Sequence, residues 1–131
     1  MRVNRGENQE STSTNASTPA GFEHLAEGDF HRRIAASAGI AVVLFTAPRC
    51  GACRAWKHLL PSALADHASV FYEVDVSEAT GVARYFDIFH LPTIYLFRDG
   101  QFHAELQCEA RPDSIRQATL QLLNTAAQDE P

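Results

Sequence analysis

From Phe22 onward the apolar positions alternate between strand-like and helix-like spacing, and before it they form no pattern. Residues 1–20, MRVNRGENQESTSTNASTPA, are polar and rich in Ser, Thr and Asn. They hold too little apolar surface to offset the entropy of ordering, so a disordered tail is expected. Phe22–Leu25 reads as a short edge strand. Asp29 is placed to cap a helix running to about Ser37, with Phe30, Ile34 and Ala38 inward, and Gly39 ends it. Ile40–Ala47 is apolar almost throughout and β-branched at its centre, which predicts a strand buried on both faces of a central sheet. Pro48 closes that strand.

Trp56, Leu59, Leu60, Ala63 and Leu64 then recur at i, i+3, i+4, i+7 and i+8, a helical stripe over about 50–65. Pro61 lies inside this stripe and is expected to kink or split the helix, because it removes one N–H and crowds the preceding turn. From Val70 to Val76, Tyr72, Val74 and Val76 alternate with Glu73 and Asp75, a strand with one more polar face. Residues 78–87 read as a short helix weakened by Gly81. Thr93–Phe97 follows Pro92 as a strand, and Asp99-Gly100 is a two-residue hairpin turn into a strand over Gln101–Gln107, with Phe102, Ala104 and Leu106 inward. Pro112 opens a last helix with Ile115, Ala118, Leu122 and Ala126 at helical spacing.

The predicted order is β-α-β-α-β-α-β-β-α. Crossover helices imply parallel pairs early in the sheet and the hairpin makes the last pair antiparallel, giving an α/β fold with a mixed sheet. The domain is expected to span 21–127, with residues 128–131 fraying. Its 131 residues, 45% hydrophobic and 21% charged, suit one globular domain that needs no disulfide staples.

Charge narrows the partners. A formal net charge of −5 argues against a nucleic-acid or anionic-membrane binder, either of which would need a dense basic face. No apolar run approaches the roughly 18 residues of a membrane span. No apolar leader follows Met1-Arg2, so a reducing cytoplasm is the expected location. Asn15-Ala16-Ser17 fits a glycosylation sequon, which without a secretory route is read as a chance match. Three cysteines are too few and too odd in number for a secreted disulfide scaffold, and two are spaced for chemistry.

That chemistry centres on Arg49-Cys50-Gly51-Ala52-Cys53-Arg54, where an apolar strand feeds a helix start. Free backbone N–H groups and the positive end of the helix macrodipole favour thiolate over thiol at Cys50, and the thiolate is the nucleophile. Cys53, three residues on, shares the helical face and is placed to resolve a mixed disulfide formed at Cys50. A lone Cys-x-x-Cys also fits a zinc half-site or a chance pair.

Three features at compatible spacing resemble the thioredoxin family over about Phe22–Thr125. They are Cys50-Gly51-Ala52-Cys53 after a buried strand, Leu91-Pro92-Thr93 before another, and the hairpin Phe97-Arg98-Asp99-Gly100-Gln101. The resemblance implies the thioredoxin fold, a central mixed sheet with helices on both faces. It implies a cis Leu91–Pro92 bond beside the cysteine pair, and a docking surface of Gly51, Ala52, Leu91 and Pro92 on which the Leu91 backbone pairs with an extended substrate. Protein disulfides are then the substrates, a thioredoxin reductase or a small thiol the electron donor, and redox homeostasis the context. A monomer without cofactor or bound metal is expected.

Departures from the family pattern bear on tuning. Arg49 stands where an aromatic residue is usual and adds positive charge beside Cys50. Ala52 replaces a proline and Arg54 a lysine. Leu44 occupies the position of a buried aspartate credited with deprotonating the resolving thiol, and Glu73 that of the lysine paired with it, so the internal ion pair is expected to be lost. His58 sits near the usual place of the kinking proline. Cys108 aligns with a glycine of a loop flanking the cysteine pair, which brings a third thiol into the expected docking surface. His90, two residues before Pro92, is a candidate for proton transfer near neutral pH. Two other readings compete with disulfide exchange. One is a chaperone or assembly factor that binds a dedicated client and uses the cysteines for regulation. The other is a metal module built from Cys50, Cys53 and His90 or Cys108.

Overall fold

The computed structural model describes residues 21–131, so the expected tail and the Asn15 sequon lie outside the described residues. The elements are β1 (Glu23–His24), a 3-10 turn (Glu27–Asp29), α1 (Phe30–Ala35), β2 (Ile40–Thr46), α2 (Gly51–Leu64), β3 (Val70–Asp75), α3 (Thr80–Tyr85), β4 (Thr93–Arg98), β5 (Gln101–Glu105) and α4 (Pro112–Leu123). The five strands form one sheet in the order β1-β3-β2-β4-β5. β3 pairs in parallel with β1 and β2, while β4 runs antiparallel to both β2 and β5. The expected α/β architecture with a mixed sheet is therefore observed.

β2 is buried along nearly its whole length, as its apolar run demands. Its residues alternate between two cores. Ala41, Val43 and Phe45 face α1 and α3 with Phe30, Tyr72, Phe86, Tyr95 and Phe97. Val42 and Leu44 face α2 and α4 with Trp56, Leu60, Leu64, Leu96 and Ile115. The strand that leads into the cysteine pair is thus held from both sides.

Several local expectations give way to packing. Asp29 precedes α1 but makes no side-chain cap; its carboxylate instead accepts from Arg32 at 2.7 Å. α1 stops at Ala35, and Ala38 is exposed rather than inward, because the chain turns there to enter β2. Pro61 lies within α2 without splitting it. Gly81 in α3 leaves room for a neighbour: a Cβ there would come 2.8 Å from the Glu27 carboxylate, which accepts from the Gly81 N–H at 2.5 Å. The glycine thus admits an acidic group to the first turn of α3, where negative charge is favoured. The hairpin turn has the left-handed backbone that Asp-Gly supplies, with φ of 50° at Asp99 and 85° at Gly100.

β5 ends at Glu105, and the pairing of β4 with β5 shifts between Leu96 and Phe97. Leu96 opposes Ala104 and Phe97 opposes Phe102, which leaves His103 as the extra residue of a bulge. One added residue reverses the side-chain phase, so Phe102 packs on the aromatic core and Leu106 on the opposite one. The single inward row of Phe102, Ala104 and Leu106 is not formed. Ala126 lies past the end of α4 and is exposed. Further on, Gln128 is joined to β5: its N–H donates to the His103 carbonyl at 2.7 Å and its Oε1 accepts from the Glu105 N–H at 3.1 Å.

Candidate redox-active site

β2 delivers the chain to the end of the sheet, and Cys50 takes the N-cap position of α2 with an extended backbone. Its Sγ accepts from the Cys53 N–H at 3.2 Å, so a backbone donor at the positive end of a 14-residue helix points at this sulfur. The two cysteines form a disulfide, with S–S 2.15 Å and Cα–Cα 5.3 Å. Their surroundings differ. Cys50 is half-buried and flanked by exposed Arg49, Gly51 and Ala52, whereas Cys53 is 3% exposed. Its Sγ lies 3.9 Å from the carbonyl oxygen of Phe45. A partner approaching from solvent therefore meets Cys50 first.

The prolyl segment enters the sheet at the same place. Phe45 is in register with Thr93, the first residue of β4, so the chain just before Thr93 runs beside the strand position that Cys53 touches. The Leu91–Pro92 bond is cis, and both residues are half-buried. Among the described residues, neither backbone group of Leu91 has a hydrogen-bond partner. His90 is exposed. The Thr93 hydroxyl donates to the His90 carbonyl at 2.7 Å, and Thr93 Oγ1 lies within hydrogen-bond distance of His90 Nδ1 at 3.2 Å. The bonded partner of His90 is Thr93, and no hydrogen bond joins it to either cysteine.

A family model described as Thioredoxin matches residues 21–121. The chain belongs to the thioredoxin family. Among solved structures, mitochondrial thioredoxin 3 from Saccharomyces cerevisiae in its oxidized form is similar at 25% identity and a TM-score of 0.56. That match covers 70% of this chain and 87% of that one. Human ERp44 in a zinc-bound form is similar at 21% identity and a TM-score of 0.64, over 76% of this chain and 29% of that one, and at that identity shows the fold alone. This chain therefore corresponds to less than a third of the ERp44 chain. No curated protein sequence matches it.

The departures from the thioredoxin pattern can now be placed. Leu44 is fully buried, in register with Glu73 on β3 and Ile94 on β4. Leu44 offers Glu73 no charged partner across the strands, and Glu73 takes a cation from α2 instead. Its Oε1 pairs with Lys57 Nζ at 3.0 Å, and its Oε2 accepts from the Thr46 hydroxyl at 2.9 Å. A different ion pair is thus formed, with the carboxylate on β3 and the cation on α2. Sequence inspection missed Lys57 because the contact crosses layers; its one signal was a lysine four residues after Cys53 on the same helical face.

Cys108 is a free, half-buried thiol packed against the core beneath α2 and α4. Burial, and then the nearby Glu109 charge, push its thiol above the usual range, which disfavours the thiolate that exchange requires. Its environment is that of a small apolar side chain. Phe89, which sequence reasoning did not single out, is 89% exposed in the loop before Pro92. Among the described residues, no group of three or more His, Cys, Asp or Glu side chains is placed to hold a metal ion, and no helix is long and apolar enough to cross a membrane.

Proposed function

We propose that the protein is a thiol–disulfide oxidoreductase of the thioredoxin type, with Cys50 as the attacking and Cys53 as the resolving sulfur. The observation that carries this reading is the asymmetry of the pair: an accessible sulfur receiving a helix N-terminal N–H, bonded to a sealed one three residues on. In the reduced protein the Cys50 thiolate attacks a client disulfide. A Cys50–client bond forms, the client bond breaks, and the client's second sulfur leaves as thiolate. Cys53, giving up its proton to solvent, then attacks Cys50, so the Cys50–Cys53 bond forms and the client's first sulfur is released as thiolate. Two electrons pass from the dithiol to the client, and the reverse sequence oxidises a client dithiol. A disulfide reductase or a small thiol is the class of donor that returns the pair to the reduced state.

Leu91, Pro92, Gly51 and Ala52 are assigned to client docking, with the open Leu91 backbone as a site for pairing with an extended chain. With Arg49 beside Cys50 and Leu44 beneath the helix, the couple is expected to be less reducing, or turnover slower, than for an ordinary thioredoxin. A cytoplasmic monomer is the setting this reading favours. The decisive experiment compares Cys53→Ser with Cys50→Ser. The first should accumulate covalent mixed disulfides with client proteins that are released by dithiothreitol, and the second should capture none; equal capture by both would defeat the assignment. Equilibration with glutathione buffers gives the potential.

A further inference from the structure

Helix α2 carries a charge pattern opposite to that of the molecule as a whole. The chain has a net charge of −5, yet α2 contains no Asp or Glu, and it bears Arg54, Lys57 and His58. Arg54 and His58 fall four and eight residues after Cys50, so they continue the side of the helix on which that cysteine sits. Both are exposed, as is Arg49 immediately before Cys50. Among the described residues, neither Arg49 nor Arg54 is paired with a carboxylate. Arg54, Lys57 and His58 line one wall of a groove of about 430 Å³, with Phe22 and Glu73 on the other. Lys57 is committed to Glu73, so the pair contributes little net charge there. What remains in the groove is the unbalanced positive charge of Arg54, beside the Phe22 ring that is itself braced on Phe71 at 5.5 Å, while Arg49 and the helix N-terminus add positive charge next to Cys50.

We propose that this groove is a docking surface for an acidic segment of the client protein next to its exchanging disulfide. The proposal rests on the reading of Cys50 as the exchanging sulfur and adds the chemistry of the partner. Charge complementarity fixes the occupant: the unpaired Arg54 guanidinium in the groove, with exposed Arg49 beside Cys50, attracts Asp and Glu, and at a rim of this kind such groups act mainly on encounter rate and partner choice. On the prolyl side, Asp87 and Glu105 line a separate crevice with His90. An acidic client segment is therefore directed to the α2 side and repelled from the other.

The test uses two cystine peptides that are identical except for flanking Glu or Lys residues, with the neutral hydroxyethyl disulfide as a third substrate. At about 20 mM salt the acidic peptide should show about tenfold higher kcat/KM than the basic one, the gain expected of two or three partly exposed pairs. That ratio should fall towards one at about 0.5 M salt, where screening shortens the range of such charges to a few ångströms. Arg54→Glu should abolish or invert the ratio after normalisation to hydroxyethyl disulfide. A ratio near one at low salt, or one that survives in R54E, overturns the proposal. Should no disulfide at all be turned over, the exchange reading falls instead. The groove is then decided by fluorescence anisotropy with cysteine-free peptides: acidic binding lost in R54E supports it, and equal binding of acidic and basic peptides overturns it.

Discussion

The two faces of the sheet are built from different materials. Beneath α1 and α3 the core is aromatic: Phe86 alone meets Phe30, Phe45, Tyr95 and Phe97 at centroid distances of 5.4 to 6.4 Å, mostly edge to face. Beneath α2 and α4 the buried side chains are mainly aliphatic: Trp56 is the one aromatic ring among the described buried members of that cluster, with Phe22 and Phe71 partly buried against it. The helices differ accordingly. α1 and α3 have six residues each, too few to persist without tertiary support, and oriented ring contacts supply it. α2 and α4 have 14 and 12 residues, and the polar contact Thr46–Glu73–Lys57 lies on their side. Ring packing is concentrated on one face, and the polar contact and the cysteine-bearing helix on the other.

Paired truncations separate these roles. Phe86→Ala should cost about 3–5 kcal/mol in urea unfolding, while the glutathione-determined potential stays where it was. Leu60→Ala, also fully buried but under the reactive helix, should cost about 2–5 kcal/mol and also change the alkylation rate of Cys50 in the reduced protein. If both variants, or neither, disturb Cys50, the division between the faces is wrong.

A smaller effect is expected at the Lys57–Glu73 ion pair. Lys57→Met leaves the Glu73 carboxylate, about one-fifth exposed, with Thr46 as its remaining partner, and should destabilise by about 1–2 kcal/mol. Lys57→Met with Glu73→Gln should recover part of that loss, and a double-mutant cycle with no coupling would show the pair to be incidental.

Cys108 gives the smallest change, and a pH dependence of known sign. Its thiol is raised in the folded state, so it adds stability that is complete below the ordinary thiol range and lost as pH climbs through the folded value. Iodoacetamide labelling of Cys108 should lag behind a free thiol peptide at every pH below that point. Glu109→Gln should speed it about twofold, since the carboxylate is the lesser of the two causes. Labelling faster than the peptide near neutrality would contradict a buried, protonated thiol.

Much of this was written in the sequence wherever local chemistry and the fold agree. The apolar run of β2, the Asp-Gly hairpin and the ordered triplet of Cys-x-x-Cys, Leu-Pro-Thr and hairpin each name their own structure. What stayed hidden depends on contacts between layers. The bulge at His103 breaks an alternation that Phe102, Ala104 and Leu106 display cleanly, because an extra residue in a ladder leaves no mark on periodicity. The cation that Glu73 meets was not legible because it lies 16 positions earlier and in another layer. Phe86, Ile88 and Phe89 are equally apolar, and only the turn through Asp87, with φ of 53°, decides that Phe86 goes inside and Phe89 outside.

The hydrogen bonds from Gln128 to His103 and Glu105 have a consequence for crowded solutions. A strand rim with vacant amides invites a second molecule to add itself, the first step toward runaway stacking. By laying Gln128 along the β5 flank, the chain occupies the His103 carbonyl and the Glu105 N–H internally. Adhesion is blunted on that flank, while the end that holds the cysteine bridge stays open to visitors.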